Sequence, residues 1–162
     1  MTVLFADIKG FTAMNEKMTP EAVVEALNDF FTEMVDLVFE HQGTLDKFVG
    51  DALMAEFGAP VAIPEAASRA VECALAMHRR LREMREAGAT PIKGMRIGIN
   101  TGEAIVGNIG SHKRMDFTVI GTAVRIEGLA DPFGDAFEFM HGYFFFSGGG
   151  GFSGGGWKGR SR

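Results

Sequence analysis

Two aspartates far apart in the chain stand where strand-forming runs end. In "FADIKGFT", residues 5–12, the apolar run Val3, Leu4, Phe5 reaches Asp7, and Gly10 then eases a reversal into Phe11 and Thr12. In "TLDKFVGDALMAEF" the pair Gly50-Asp51 reads as a two-residue hairpin turn with Asp51 at its tip. If those strands are neighbours, the two carboxylates can meet. Two hard oxygen ligands at a sheet edge, beside a turn whose amides at Gly10, Phe11 and Thr12 begin a helix, make a site for magnesium and a polyphosphate together. With two ions about 4 Å apart, one lowers the pKa of an attacking hydroxyl while the other binds the leaving phosphates. The chemistry indicated is displacement at phosphorus. Each piece also has an ordinary use, since a strand-ending Asp caps turns and Gly-Asp is a common hairpin, so the combination carries the reading. Lys47, on the strand before Asp51, is either a solvated strand residue or a donor to a base edge or a phosphate. His78 fits a core or boundary position better than a ligand's.

The elements that must position these residues are legible as periods. From Pro20 the apolar residues Val23, Val24, Leu27, Phe30, Phe31, Met34, Val35 and Val38 recur at helical spacing, with Thr19 as N-cap and Gly43 as the stop. A second helix is expected from near Pro64 to Gly88, with Ala67, Ala70, Val71, Ala74, Leu75, His78 and Leu81 on one side. "MRIGINTGEAIVGNIG" is expected to form a hairpin around Thr101-Gly102, "MDFTVIG" a further strand, and Ala123 to Ala130 a short helix. Strand, helix, two strands, helix, strands is the order of an α+β, ferredoxin-like split β-α-β sandwich, with two long helices on one face and the other face free.

The totals bound the answer. A chain of 162 residues, 46% hydrophobic and 23% charged, suits one ordinary globular domain. Its formal charge of -5 argues against a sequence-independent grip on nucleic acid. The single Cys73 cannot form an internal disulfide and suits a reducing compartment. No run approaches the roughly 18 apolar residues of a membrane span, so a cytoplasmic domain without a membrane segment is expected. From Asp131 the periods disappear, seven of the fifteen phenylalanines gather, and "FFFSGGGGFSGGGWKGRSR" is mostly glycine, serine and aromatics.

"VLFADIKGFT", "HQGTLDKFVGDALMAEFGAP" and "MRIGINTGEAIVGNIGSHKRMDFTVIG", in that order and spacing, resemble the class III adenylyl and guanylyl cyclase catalytic domain, in particular its bacterial adenylyl subclass. The resemblance runs from Thr2 to about Gly121. It implies that Asp7 and Asp51, with the backbone carbonyl of Ile8, hold two Mg2+ (or Mn2+) ions. It also implies that Lys47 and Thr118 read the purine, a pairing that goes with ATP rather than GTP. Family active sites lie between two antiparallel protomers, so the implied partner is a second copy or another cyclase domain, in a homodimer or heterodimer. The implied reaction converts ATP to 3′,5′-cyclic AMP and pyrophosphate in intracellular signalling.

The sequence departs from the family at two positions. An asparagine that positions the ribose and an arginine that stabilises the transition state, four residues apart, are expected after "VIG", and Arg125 and Leu129 stand there. Leucine cannot donate a hydrogen bond, and losing one preorganised donor commonly costs roughly a hundred- to a thousandfold in rate. A catalytically impaired domain that binds nucleotide or serves as a regulatory dimer half is therefore the second reading. The terminal "WKGRSR" resembles a late family strand whose lysine touches the triphosphate, which implies Lys158 as the candidate for that role. The expected organisation is a cyclase domain over residues 1–130, truncated at its C-terminal side, followed by an irregular tail over 131–162.

Overall fold

The computed structural model describes residues 1–125, with side chains as far as Val119. The elements are β1 (Thr2–Ile8), α1 (Phe11–Asn15), α2 (Pro20–Glu40), β2 (Thr44–Val49), β3 (Ala52–Phe57), α3 (Ala66–Glu86), β4 (Met95–Ser111) and β5 (Arg114–Arg125). The strands form one sheet in the order β2-β3-β1-β4-β5, and every pairing is antiparallel. β3 lies between β1 and β2, and β1 lies between β3 and β4, which is the split β-α-β arrangement. Asp7 of β1 is opposite Ala52 of β3, so the register sets it beside the Gly50-Asp51 turn.

Alternation along the strands divides the two faces. Leu4, Ala6 and Ile8 of β1 and Leu53, Ala55 and Phe57 of β3 point to the helices, where Phe30, Met34 and Val38 of α2 and Cys73, Met77 and Leu81 of α3 complete the main core. Val3, Phe5, Asp7, Met54 and Glu56 alternate with these and point to the face without helices. Thr19 caps α2, accepting a hydrogen bond on its hydroxyl from the Ala22 amide at 3.3 Å, and Pro20 follows at the first helical position. Burial along α2 falls at Val23, Ala26, Phe30, Met34 and Val38, whereas Val24 is exposed. Helix α3 starts at Ala66, two residues after Pro64, and its buried stripe runs through Ala70, Cys73, Ala74, Met77 and Leu81. Val71, Leu75 and His78 are rotated to its half-buried edge.

The expected hairpin at Thr101-Gly102 does not form. β4 runs straight through it, because Gly102 exchanges two backbone hydrogen bonds with Met1, at 3.0 and 3.1 Å, and the Thr101 hydroxyl lies 2.9 Å from that of Thr2. Backbone groups paired in this way have no need of a turn. The chain reverses at His112-Lys113 instead, and β4 and β5 form a long two-stranded arm. The arm curls over the helix-free face, where Val119, Val106 and Ala104 pack with Val3, Phe5 and Met54 in a second, smaller core. Ala123 to Arg125, expected to open a helix, belong to β5; the rest of that stretch and the tail over 131–162 lie outside the described residues.

Candidate active site

Asp7 stands at the end of β1 on the helix-free face, half-buried, and Asp51 sits in the β2–β3 turn where Gly50 takes a φ of +63°. The two carboxyls are close enough to interact. Burial, chiefly, holds the Asp51 carboxyl above the ordinary carboxylate range; the charge of Asp7 and a hydrogen bond with it push the same way, against the Asp51 backbone amide and Arg96. Arg96, from β4, donates its Nη2 to Asp7 Oδ2 at 2.7 Å. Ile8 turns its side chain into the core at 2% exposure, and the next amide, Lys9, donates to the Gly94 carbonyl at 3.0 Å. Gly10 then adopts a φ of +74° as the N-cap of α1, a conformation that suits glycine, with open space around its α-carbon. Phe11 packs against the main core while Thr12 is exposed.

The donor set fits a hard divalent cation. Among the described residues no three His, Cys, Asp or Glu side chains cluster as a complete cage. Two neighbouring carboxylates are what magnesium takes when substrate phosphates and water supply its remaining ligands.

A second polar cluster occupies the same helix-free face. Lys47 of β2 is opposite Met54, and the register slips between Leu45 and Lys47, leaving Asp46 as the extra residue of a β-bulge. The Asp46 side chain is 1% exposed; its Oδ2 accepts from the Thr118 hydroxyl at 2.6 Å, and its Oδ1 lies 3.7 Å from Lys47 Nζ. Thr118 belongs to β5, at the far end of the strand order, and only the curl of the arm brings it to β2. Glu56 of β3 is buried beside them, and desolvation, then the charge of Asp46, push its carboxyl up to about 7.

The structure therefore assembles Asp7 with Asp51, and Lys47 with Thr118, in two clusters. The backbone of Arg125 is opposite Asn100 at the end of β5, while Leu129 and Lys158 lie outside the described residues. Reading the sequence missed Arg96, Asp46 and Glu56. A usable signal for the last was a lone acid in the otherwise apolar "ALMAEF"; for Asp46 it was the adjacent charges of "LDK", which strict alternation would send to opposite faces. Among the described residues no helix is long and apolar enough to cross a membrane.

Known proteins agree with this architecture. A family described as the adenylate and guanylate cyclase catalytic domain matches residues 1–136. "Adenylate cyclase 1" of Rhizobium meliloti is 37% identical over 141 residues, covering 83% of this chain and 21% of that protein. The adenylate cyclase of Anabaena cylindrica is 37% identical over 145 residues, covering 83% of this chain and 28% of its own length. The chain thus spans about a quarter of the curated relatives it matches. Among solved structures, the adenylyl cyclase CyaB from P. aeruginosa superposes with a TM-score of 0.69 at 40% identity, covering 74% of this chain and 64% of the other. The guanylyl cyclase Cya2 superposes at 0.67 and 45%, covering 74% and 62%. With a family match over most of its length and a shared fold, the chain belongs to the adenylate and guanylate cyclase catalytic-domain family.

Proposed function

We propose that the chain is an adenylate cyclase domain that converts ATP to 3′,5′-cyclic AMP and pyrophosphate. The observation that carries the reading is the gathering of Lys47 and Thr118 around Asp46 on the helix-free face, a cation and a hydroxyl suited to the edge of adenine. Asp7 and Asp51 would hold the metal, with the Ile8 carbonyl as a further ligand. Two bound Mg2+ or Mn2+ ions supply activation of a hydroxyl and neutralisation of phosphate charge. The 3′ oxygen bonds to the α-phosphorus as the bond to the bridging oxygen of the β-phosphate breaks; the 3′ proton is released and the electron pair leaves with pyrophosphate.

The chain's own groups orient this displacement. Arg96 offers a planar donor fork at the acid pair, where phosphate oxygens arrive. The amides at Gly10, Phe11 and Thr12 open α1 just after β1 and would suit an anion. Lys47 and Thr118 hold the base. The exposed apolar residues Ile105, Met115 and Phe117 on the arm suit a second cyclase domain, with metal acids from one protomer and base-reading residues from the other.

The test is cyclic nucleotide production by the purified chain from ATP and from GTP, with Mg2+ and with Mn2+, over a range of protein concentrations. Cyclic AMP from ATP, rising faster than linearly with concentration and abolished by Asp7→Ala, is expected. Cyclic GMP as the main product overturns the substrate assignment. A second reading, a nucleotide-binding regulatory half without turnover, is favoured by Arg125 and Leu129, which replace the donors the family uses there.

A further inference from the structure

Asp46 is buried at a bulge, on the same face as Lys47, and meets a residue from the opposite end of the strand order. Its carboxylate takes the single proton that the Thr118 hydroxyl can give, at 2.6 Å. Its other oxygen is buried without a hydrogen-bond partner among the described residues, as is Oε1 of Glu56. Glu56, crowded beside it, takes up a proton near neutrality.

A hydroxyl is normally ambivalent, because it rotates to donate or accept as its partner demands. Thr118 has lost that freedom. With its proton committed to Asp46 it offers a ligand only lone pairs, while the ammonium of Lys47 offers only donors. The pair has a fixed polarity. Adenine presents an acceptor at N1 and a donor at its 6-amino group, and guanine presents the reverse, a donor at N1 and an acceptor at O6. A purine seated with this edge on Lys47 and Thr118 is matched twice when it is adenine and opposed twice when it is guanine.

We propose that Asp46 is a specificity-determining positioning residue, which selects adenine over guanine by fixing the Thr118 hydroxyl as an acceptor. The bulge is the device that turns its carboxylate under Thr118 instead of leaving it on the alternating pattern of β2. This inference rests on the reading of Lys47 and Thr118 as the base-reading pair.

Binding of α,β-methylene analogues of ATP and GTP to the full chain, measured by calorimetry with Mg2+, separates the two claims without requiring turnover. The wild-type chain is expected to prefer the ATP analogue, and Asp46→Asn to lower the ratio of affinities by about ten- to a hundredfold, since an amide can donate to Thr118 and return its proton to the ligand. Much of that change should come as tighter binding of the GTP analogue. A merely structural lesion would weaken both analogues alike and leave the ratio intact. Asp46→Ala, which frees the hydroxyl to rotate, should also lower the ratio and serves if Asp46→Asn does not fold. In a Thr118→Val background neither change should alter the ratio further. Folded Asp46 variants with an unchanged ratio would overturn this inference alone. A wild-type chain that binds neither analogue, or prefers that of GTP, would overturn the proposed function with it.

Discussion

Arg96 and Asp7 are direct partners across the β1–β4 pairing, and the guanidinium closes on the carboxylate at 2.7 Å. A cation is thus already in place at the oxygen that a divalent ion would need. The pair is partly exposed, at 48% for Arg96 and 31% for Asp7, so its contribution to stability is close to the surface kind, about 0–1 kcal/mol. Arg96→Ala should therefore leave the melting temperature nearly unchanged and tighten Mn2+ binding in the absence of nucleotide by about two- to fivefold. Titration followed by electron paramagnetic resonance reads this directly. Nucleotide affinity should fall in the same variant, because a phosphate donor has gone; an unchanged affinity would remove Arg96 from the phosphate site.

The acids on the helix-free face make the metal-free chain sensitive to pH in a definite direction. Glu56 holds its proton up to about 7 in the fold, against an ordinary value of 4.5. Between those values the native chain keeps a proton that the unfolded chain has released, so stability falls as pH rises across that window. Asp51, raised from 3.8, acts with the same sign from the lower end. Glu33 acts oppositely: Arg80 of α3 grips it bidentately at 2.6 and 2.7 Å and lowers its pKa, so its contribution is present above 4.5 and lost in acid. Thermal melts without metal should therefore show lower stability at pH 7.5 than at pH 5.5, and Glu56→Gln should remove most of the difference. Added Mn2+ should stabilise the chain less as the pH falls into the acid range, because it needs Asp51 ionised.

How far the site was legible depended on how local its cause was. β1, the Gly50-Asp51 turn and the caps of α2 follow from neighbours in the chain: a strand period that ends at an acid, a glycine that takes positive φ, a threonine before a proline. Asp7 and Asp51 could be placed together because the topology of the split β-α-β unit makes β1 and β3 neighbours. The arm could not be read in this way. Thr101-Gly102 has the composition of a turn, and only the pairing of Gly102 with Met1, from the other end of the chain, cancels it. Asp46 was missed for the same reason, since its partner Thr118 arrives by the curl of that arm. Charged residues on a strand look solvated until the element that buries them is known.

Gly43 offers a test of packing that is independent of the chemistry. It joins α2 to β2, and a Cβ built there would lie 2.8 Å from Phe57 ring atoms and from a methyl of Val38. Its amide also closes α2, donating to the Val38 carbonyl at 2.8 Å. Both neighbours are fully buried, so neither can give way cheaply. Gly43→Ala should lower stability by about 1–3 kcal/mol through overpacking, seen as a fall in denaturation midpoint with an unchanged denaturant slope. An alanine tolerated without loss would mean that the α2–β2 corner opens more readily than this packing allows.

The two readings of function divide at the end of β5. The backbone of Arg125 is opposite Asn100 in the ladder, and in the sequence Leu129 follows four residues later, at the positions where the family resemblance calls for an asparagine and an arginine. If the Asp7–Asp51 and Lys47–Thr118 clusters are otherwise competent, restoring the missing donors should recover transition-state stabilisation. Arg125→Asn combined with Leu129→Arg is then expected to raise cyclic AMP formation by about a hundred- to a thousandfold. Groups that act together on one transition state are not additive, so either change alone should give less than its share. Asp7→Ala in the doubly substituted chain should return the rate to background, which ties the gain to this site. A doubly substituted chain that folds, binds the ATP analogue and still makes no cyclic AMP would favour the regulatory half over the enzyme. Nucleotide occupancy, not turnover, would then be what these residues serve.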